Sequence, residues 1–177
     1  AFAAVNRIDD FAYMPQQNIA HAMTALMAQN KGAKKTDRIK AAFRCGMKIE
    51  LFYGIFIFFV CFFLAHPLMQ LFSNDPVVCK HGVTDEEVIS LGVIYLHAIA
   101  VMYFLPAATN GIQGYFRGIG DLKITLISSF VNMSVRVIFA AVLVFHFSLQ
   151  IEALPFSYLA GWIGMLLAEV PLLLRKF

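Results

Sequence analysis

A chain of 177 residues that is 60% hydrophobic and only 14% charged, with a mean hydropathy of +0.72, is far from the roughly one-quarter charged composition of soluble domains. This excludes a soluble globular protein and points to an integral membrane one. The formal net charge of +3 calls for no nucleic-acid partner, because the basic residues fall where membrane-topology signals belong.

Five runs approach the ~20 residues needed to cross ~30 Å of hydrocarbon. The expected fold class is therefore an all-α integral membrane bundle of about five transmembrane helices, near residues 1–28, 49–66, 88–116, 122–147 and 151–174. The first is unlike a lipid-facing helix. Asn6, Asp10, Tyr13, Gln17, His21 and Thr24 recur every three or four residues and share a face about 80° wide at 3.6 residues per turn. With the helix beginning near Ala1, Asp10 lies roughly 6 Å from the midplane at 1.5 Å per residue. A charge at the bilayer centre costs ~2.5–3.5 kcal/mol on insertion scales, so such an acid faces a partner or a wet cavity. Arg7, three residues earlier, is the nearest partner.

The second span, with Phe52, Ile55, Phe56, Phe58, Phe59 and Phe62, is apolar all round and reads as a lipid-facing wall. The link from Pro67 to Val88, with Ser73-Asn74-Asp75-Pro76 and Lys80-His81-Gly82, reads as the longest exposed loop. The third span places Tyr103, Pro106, Asn110, Gln113 and Arg117 on one face, beside the small residues Ala107, Ala108, Gly111 and Gly114 that suit close helix packing. Pro15 and Pro106 are expected to bend their helices. In the fourth span Thr125, Ser129, Asn132 and Arg136 share a face, and Arg136, a mid-helix cation, is expected to pair with a carboxylate such as Glu169. Tyr158, Trp162, Met165 and Glu169 share a face of the last span, read as packing first and cargo contact second.

Basic residues mark the cytoplasmic side. They cluster at Lys31, Lys34, Lys35, Arg38, Lys40, Arg44 and Lys48, at Arg117 and Lys123, and at Arg175 and Lys176. The first helix is thus expected to run from outside to inside in a multi-pass plasma-membrane protein with a cytoplasmic C-terminus. The first residues already belong to a span, so the chain reads as a piece of something longer. Three cysteines lack metal-ligand spacing and His21, His97 and His146 are scattered, so no metal or cofactor is expected.

Four stretches, in order and on fitting hydropathy, carry a family resemblance: Gln29-Asn30-Lys31-Gly32-Ala33 with basic residues after it, Leu71-Phe72-Ser73-Asn74-Asp75, Arg117-Gly118-Ile119-Gly120-Asp121, and Ser134-Val135-Arg136-Val137. Together they resemble the multidrug and toxic compound extrusion family, over essentially the whole chain. The resemblance implies most of one six-helix C-terminal lobe, with the lobe's first helix and the whole N-lobe lying outside the sequence. It further implies a secondary antiporter, not an enzyme. Such a protein exports drugs or organic cations by alternating access against inward sodium or protons. Several members carry an acid in the helix matching the third span, where this chain has Asn110 and Gln113.

The coupling cation is therefore expected on Asp10 first and Asp9 second, with Asn6, Tyr13, Gln17, Tyr103, Asn110 and Gln113 lining the substrate cavity. Arg7, Arg136 and Glu169 are expected to serve structural ion pairing. Gln29, Asn30, Gly32, Arg117, Gly118, Gly120 and Asp121 are expected to form cytoplasmic turns. The competing readings are a lipid-linked oligosaccharide flippase of related architecture and a small structural membrane subunit. The expected partners are small organic cations, the bilayer and the N-lobe of the same polypeptide.

Overall fold

The structure, a computed structural model, describes residues 2–73, 85–147 and 153–176. Among these the chain forms helices α1 Phe2–Gly32, α2 Thr36–Phe63, α3 Ala65–Ser73, α4 Asp85–Ala100, α5 Phe104–Gly118, α6 Leu122–Phe147 and α7 Ala153–Leu174. By length and composition α2, α6 and α7 can each cross a membrane, and α4 with α5 makes a fourth, bent span. The 31-residue α1 is long enough as well, but its polar residues set it apart from those four. The loop read between Pro67 and Val88 begins later than expected, since α3 continues to Ser73. Its Met69 is fully buried and packs over Gly92 of α4. Asn74 to Thr84, with the end of the Leu-Phe-Ser-Asn-Asp stretch, lie outside the described residues.

The third span is two helices, meeting at 47°. Proline has no N–H, and its ring clashes with the carbonyl four residues earlier, which for Pro106 is that of Met102. The backbone tightens there into i→i−3 bonds, from Met102 N to Ile99 O at 2.8 Å and from Tyr103 N to Ala100 O at 3.2 Å. Gln16 Nε2 of α1 donates to the carbonyl of Tyr103 at 3.3 Å. An amide from a neighbouring helix thus serves backbone that water cannot reach.

Helix α5 is the axle of the bundle. It packs on α1, α2, α6 and α7, and all its residues but Phe104, Ala108 and Arg117 are buried. Gly114 and Gly118 let it lie directly on α1: a Cβ at Gly114 would stand 2.8 Å from Ala20 O, and one at Gly118 2.9 Å from Thr24 O and 2.6 Å from Met27 Cβ. The Thr24 hydroxyl sits in this seam, 2.8 Å from Ala20 O and 3.2 Å from Gly114 O.

Helix α2 is only half the wall expected of it. Phe52, Phe56, Phe59 and Phe63 face outward, but Ile39, Phe43, Gly46, Glu50, Gly54, Ile57 and Cys61 form a buried stripe, and the helix starts at Thr36 rather than near Ile49. Two apolar clusters result, one around Val5, Ile57, Leu96 and Tyr103, the other around Met27, Phe43, Ile112 and Phe116. Gln16, Glu50 and Asn110 lie between them along α1, α2 and α5, a buried polar layer.

The two connections at the basic end are built alike. Asp121 N donates to Phe116 O at 2.8 Å and Gly120 N to Arg117 O at 3.0 Å, with Gly120 at φ 77°; Lys35 N donates to Asn30 O at 2.9 Å and Lys34 N to Lys31 O at 2.9 Å, with Lys34 at φ 56°. The left-handed residue in the first turn is therefore Lys34. Gly32, expected to make that turn, is still helical. Asn30 Nδ2 caps Leu26 O at 2.8 Å, Gln29 is exposed and accepts through its carbonyl from Ala33 N at 3.0 Å, Lys31 donates to Ile119 O, and Lys176 pairs with Asp121. Replacing Gly120 by Val is expected to destabilise the full-length protein by about 1–2 kcal/mol, because a β-branched residue is strained at that φ. Thermal denaturation in detergent checks this, with Lys34→Gly as the opposite case, expected to be stabilising.

Candidate functional site

A cavity of about 640 Å³ opens between α1, α5, α6 and α7, within the range of pockets that hold drug-sized molecules. Its charged residues are Asp9 and Arg136; Tyr13, Tyr103, Tyr158 and Trp162 supply rings; Asn110, Gln113 and Asn132 supply amides. The bend before α5 aims Tyr103 at α1, where its hydroxyl donates to Asp9 Oδ1 at 2.8 Å. One turn further along α1, Tyr13 OH donates to Asn110 Oδ1 at 3.3 Å. On the facing wall Asn132 Nδ2 lies 3.5 Å from Met165 Sδ.

Arg136 reaches the cavity by crossing α7 at Gly161, where a Cβ would stand 2.3 Å from its Cγ. Its guanidinium carbon lies 3.8 Å above the Tyr158 ring centroid, a cation–π contact. The aromatic face of α7 therefore positions a charge and lines the cavity, a larger role than the packing read from the sequence.

Of the residues expected to line the site, Tyr13, Tyr103, Asn110 and Gln113 do, and Asn6 and Gln17 are not among the lining residues. Of the two acids, Asp9 is in the cavity, while Asp10 is exposed outside it. Consecutive helical residues stand about 100° apart. The bundle buries Val5, Ile8, Ala12, Gln16, Ala20, Met23 and Met27, which turns the edge bearing Asp9 and Tyr13 inward and leaves Asp10, Gln17 and His21 exposed. Arg7 is also exposed, outside the lining.

The expected pairing of Arg136 with Glu169 is not formed. Glu169 lies eight residues beyond Gly161 on α7, roughly 12 Å at 1.5 Å per residue. Its carboxylate is placed instead among Gln113, Ser128 and Arg117. Glu50 carried no expectation at all, yet it is fully buried with neither carboxylate oxygen hydrogen-bonded. One acid beside Ile49, at the edge of the span as read from hydropathy, looks interfacial; only the inward start of α2 places it deep.

Residues 1–142 match the family model described as MatE. The chain belongs to the MatE family, the multidrug and toxic compound extrusion proteins. It is similar to a probable multidrug resistance protein NorM of Thermotoga maritima, 23% identical over 160 residues that cover 90% of this chain and 31% of the relative. It is also similar to the probable multidrug resistance protein YoeA of Bacillus subtilis, 26% identical over 165 residues, 93% of this chain and 32% of the relative. An FAD transporter of Shewanella oneidensis is 31% identical over a shorter stretch of 80 residues, 45% of this chain and 18% of the relative. This MatE chain therefore spans about a third of the length of the two multidrug resistance relatives. Its fold matches a solved inward-facing conformation of a multidrug resistance MATE family transporter of the MOP superfamily, with a TM-score of 0.81 at 18% identity, covering 98% of this chain and 38% of that one.

Proposed function

We propose that the polypeptide to which this MatE chain belongs is a cation-coupled antiporter that exports drugs or organic cations by alternating access, with Asp9 as a coupling carboxylate. The observation that carries this reading is a drug-sized cavity in which a membrane-embedded acid, aligned by Tyr103, faces aromatic rings and amides. An acid in a span is costly unless ions or water reach it, and rings suit a cationic cargo. Cation and cargo then stabilise different arrangements of the two lobes by binding each with different affinity. The exposed polar edge of α1, with Asp10, Gln17 and His21, would face the water path shared with the N-lobe. In this reading the end bearing Lys31, Arg117 and Lys176 lies in the cytoplasm of a plasma-membrane protein.

A second reading, an anionic ring-bearing cargo, is favoured by one observation, the presence of Arg136 in the same cavity. The 80-residue similarity to an FAD transporter agrees with it. The test is transport by the full-length protein in liposomes, with sodium and pH gradients imposed separately and either a fluorescent organic cation or FAD as cargo. Gradient-driven movement of the cation alone supports the first reading, movement of FAD alone supports the second, and movement of neither overturns both.

A further inference from the structure

We infer that Glu169 forms a second site for a monovalent cation, a proton or a sodium ion, between the cavity floor and the basic end of the bundle. This rests on the transport reading above and adds a station to it. Glu169 is fully buried. Around it, both carboxylate oxygens, Gln113 Nε2 and Arg117 Nε are buried without a hydrogen-bond partner. The groups gathered about the carboxylate come from α5 and α6, with Glu169 itself on α7. A dry carboxylate left so is unfavourable, and a proton or small cation is what relieves it.

The surroundings suit such a guest. Ser128 Oγ donates its proton to Ile124 O at 2.8 Å, which leaves its lone pairs to accept from a protonated carboxyl or to ligate a cation. Arg117 of α5 is the charged group that acts on Glu169, yet among the described residues no ion pair within 4.0 Å joins them. The group brought by α6, Ser128, is neutral, and α4 meets α7 further up, on the side of Tyr95 and Tyr158. If Arg117 closes on Glu169, an ion pair replaces the cation. The proton or sodium then leaves the carboxyl for the water at the basic end, with no change in net charge at the pair beyond the cation lost.

The site is linked to the cargo. Gln113 and Met165 line the cavity, and Met165 is four residues before Glu169 on the same face of α7. A cationic cargo that engages the Gln113 carbonyl oxygen leaves Nε2 turned toward Glu169, where it favours the ionised carboxylate and so expels the cation; cargo binding and cation release are coupled through one side chain.

The test uses the purified full-length transporter in detergent. Binding of a fluorescent organic cation is followed while released protons are read with a pH dye in weak buffer and displaced sodium with a radioactive tracer. E169Q is expected to lose one released cation per cargo bound while keeping cargo affinity within about threefold, and D9N to lose a different one, with the double variant losing both. Proton or sodium release identifies which guest the site takes. Unchanged release in E169Q overturns the inference even where D9N shows its effect, whereas loss in E169Q with none in D9N sinks the Asp9 reading and leaves this one standing. If E169Q fails to fold, the infrared band of a protonated carboxyl decides the proton case through E169D, which must shift it, and the tracer displaced from E169D decides the sodium case; neither changing overturns the site.

Discussion

Asp9→Asn in the full-length transporter is expected to lower ion-driven cargo transport by at least about tenfold, while Asp10→Asn leaves it nearly unchanged. The two differ by one position and by nothing in chemistry, so the contrast isolates placement. Asp9 is in the cavity with Tyr103 OH 2.8 Å from its Oδ1, and Asp10 is exposed on the neighbouring face. Asparagine keeps the shape and the acceptor but cannot exchange a cation. Tyr103→Phe gives an intermediate case: a hydrogen bond to a charged group contributes about 1.5–3 kcal/mol, enough to shift cation affinity without removing the site. The measurement is gradient-driven uptake in liposomes at matched protein insertion. A full loss in Asp10→Asn with none in Asp9→Asn would mean that α1 works with its other edge, and the cavity described here would not be the coupling site.

Gly114→Val and Gly118→Val are expected to prevent accumulation of a folded transporter. Each Cβ would meet backbone: Ala20 O at 2.8 Å in the first case, Thr24 O at 2.9 Å in the second. Backbone cannot swing aside as a side chain can, so α1 and α5 must separate, and the Thr24 hydroxyl loses its place against Gly114 O. Overpacking of this kind costs typically about 1–3 kcal/mol and occasionally more, and here it falls on the helix that packs on α1, α2, α6 and α7. Gly111→Ala is the internal control. Its Cβ would meet Met47 Sδ at 2.3 Å, the movable part of a flexible side chain, and alanine gains about 1 kcal/mol over glycine in a helix, so near-neutral stability is expected. The yield of monodisperse protein on size-exclusion chromatography orders the three; a Gly111 variant worse than the Gly118 one would refute the seam.

Much of this protein could be read before any coordinates. Hydropathy separates membrane from soluble, because bilayer length demands long apolar runs that soluble chains do not carry. The spacing of Tyr103, Asn110 and Gln113 placed them on one face, and they do line the cavity, since helical periodicity is a local property that neighbours do not alter. The basic turns were legible for the same reason: a turn is fixed within a few residues, although at the first one the left-handed position falls on Lys34 rather than on glycine.

What the sequence by itself determined, then, is which residues share a helical face and which helices suit a bilayer. What only the tertiary structure decided is which way each face turns. Rotating α1 by one residue exchanges Asp10 for Asp9, and the small buried residues of α5 set that rotation. Glu169 and Arg136, both visible as isolated charges in apolar helices, lie among different neighbours because pairing depends on the height at which α6 and α7 cross. The depth of Glu50 depends on where α2 begins. These are distances between helices, and a one-dimensional pattern carries no record of them.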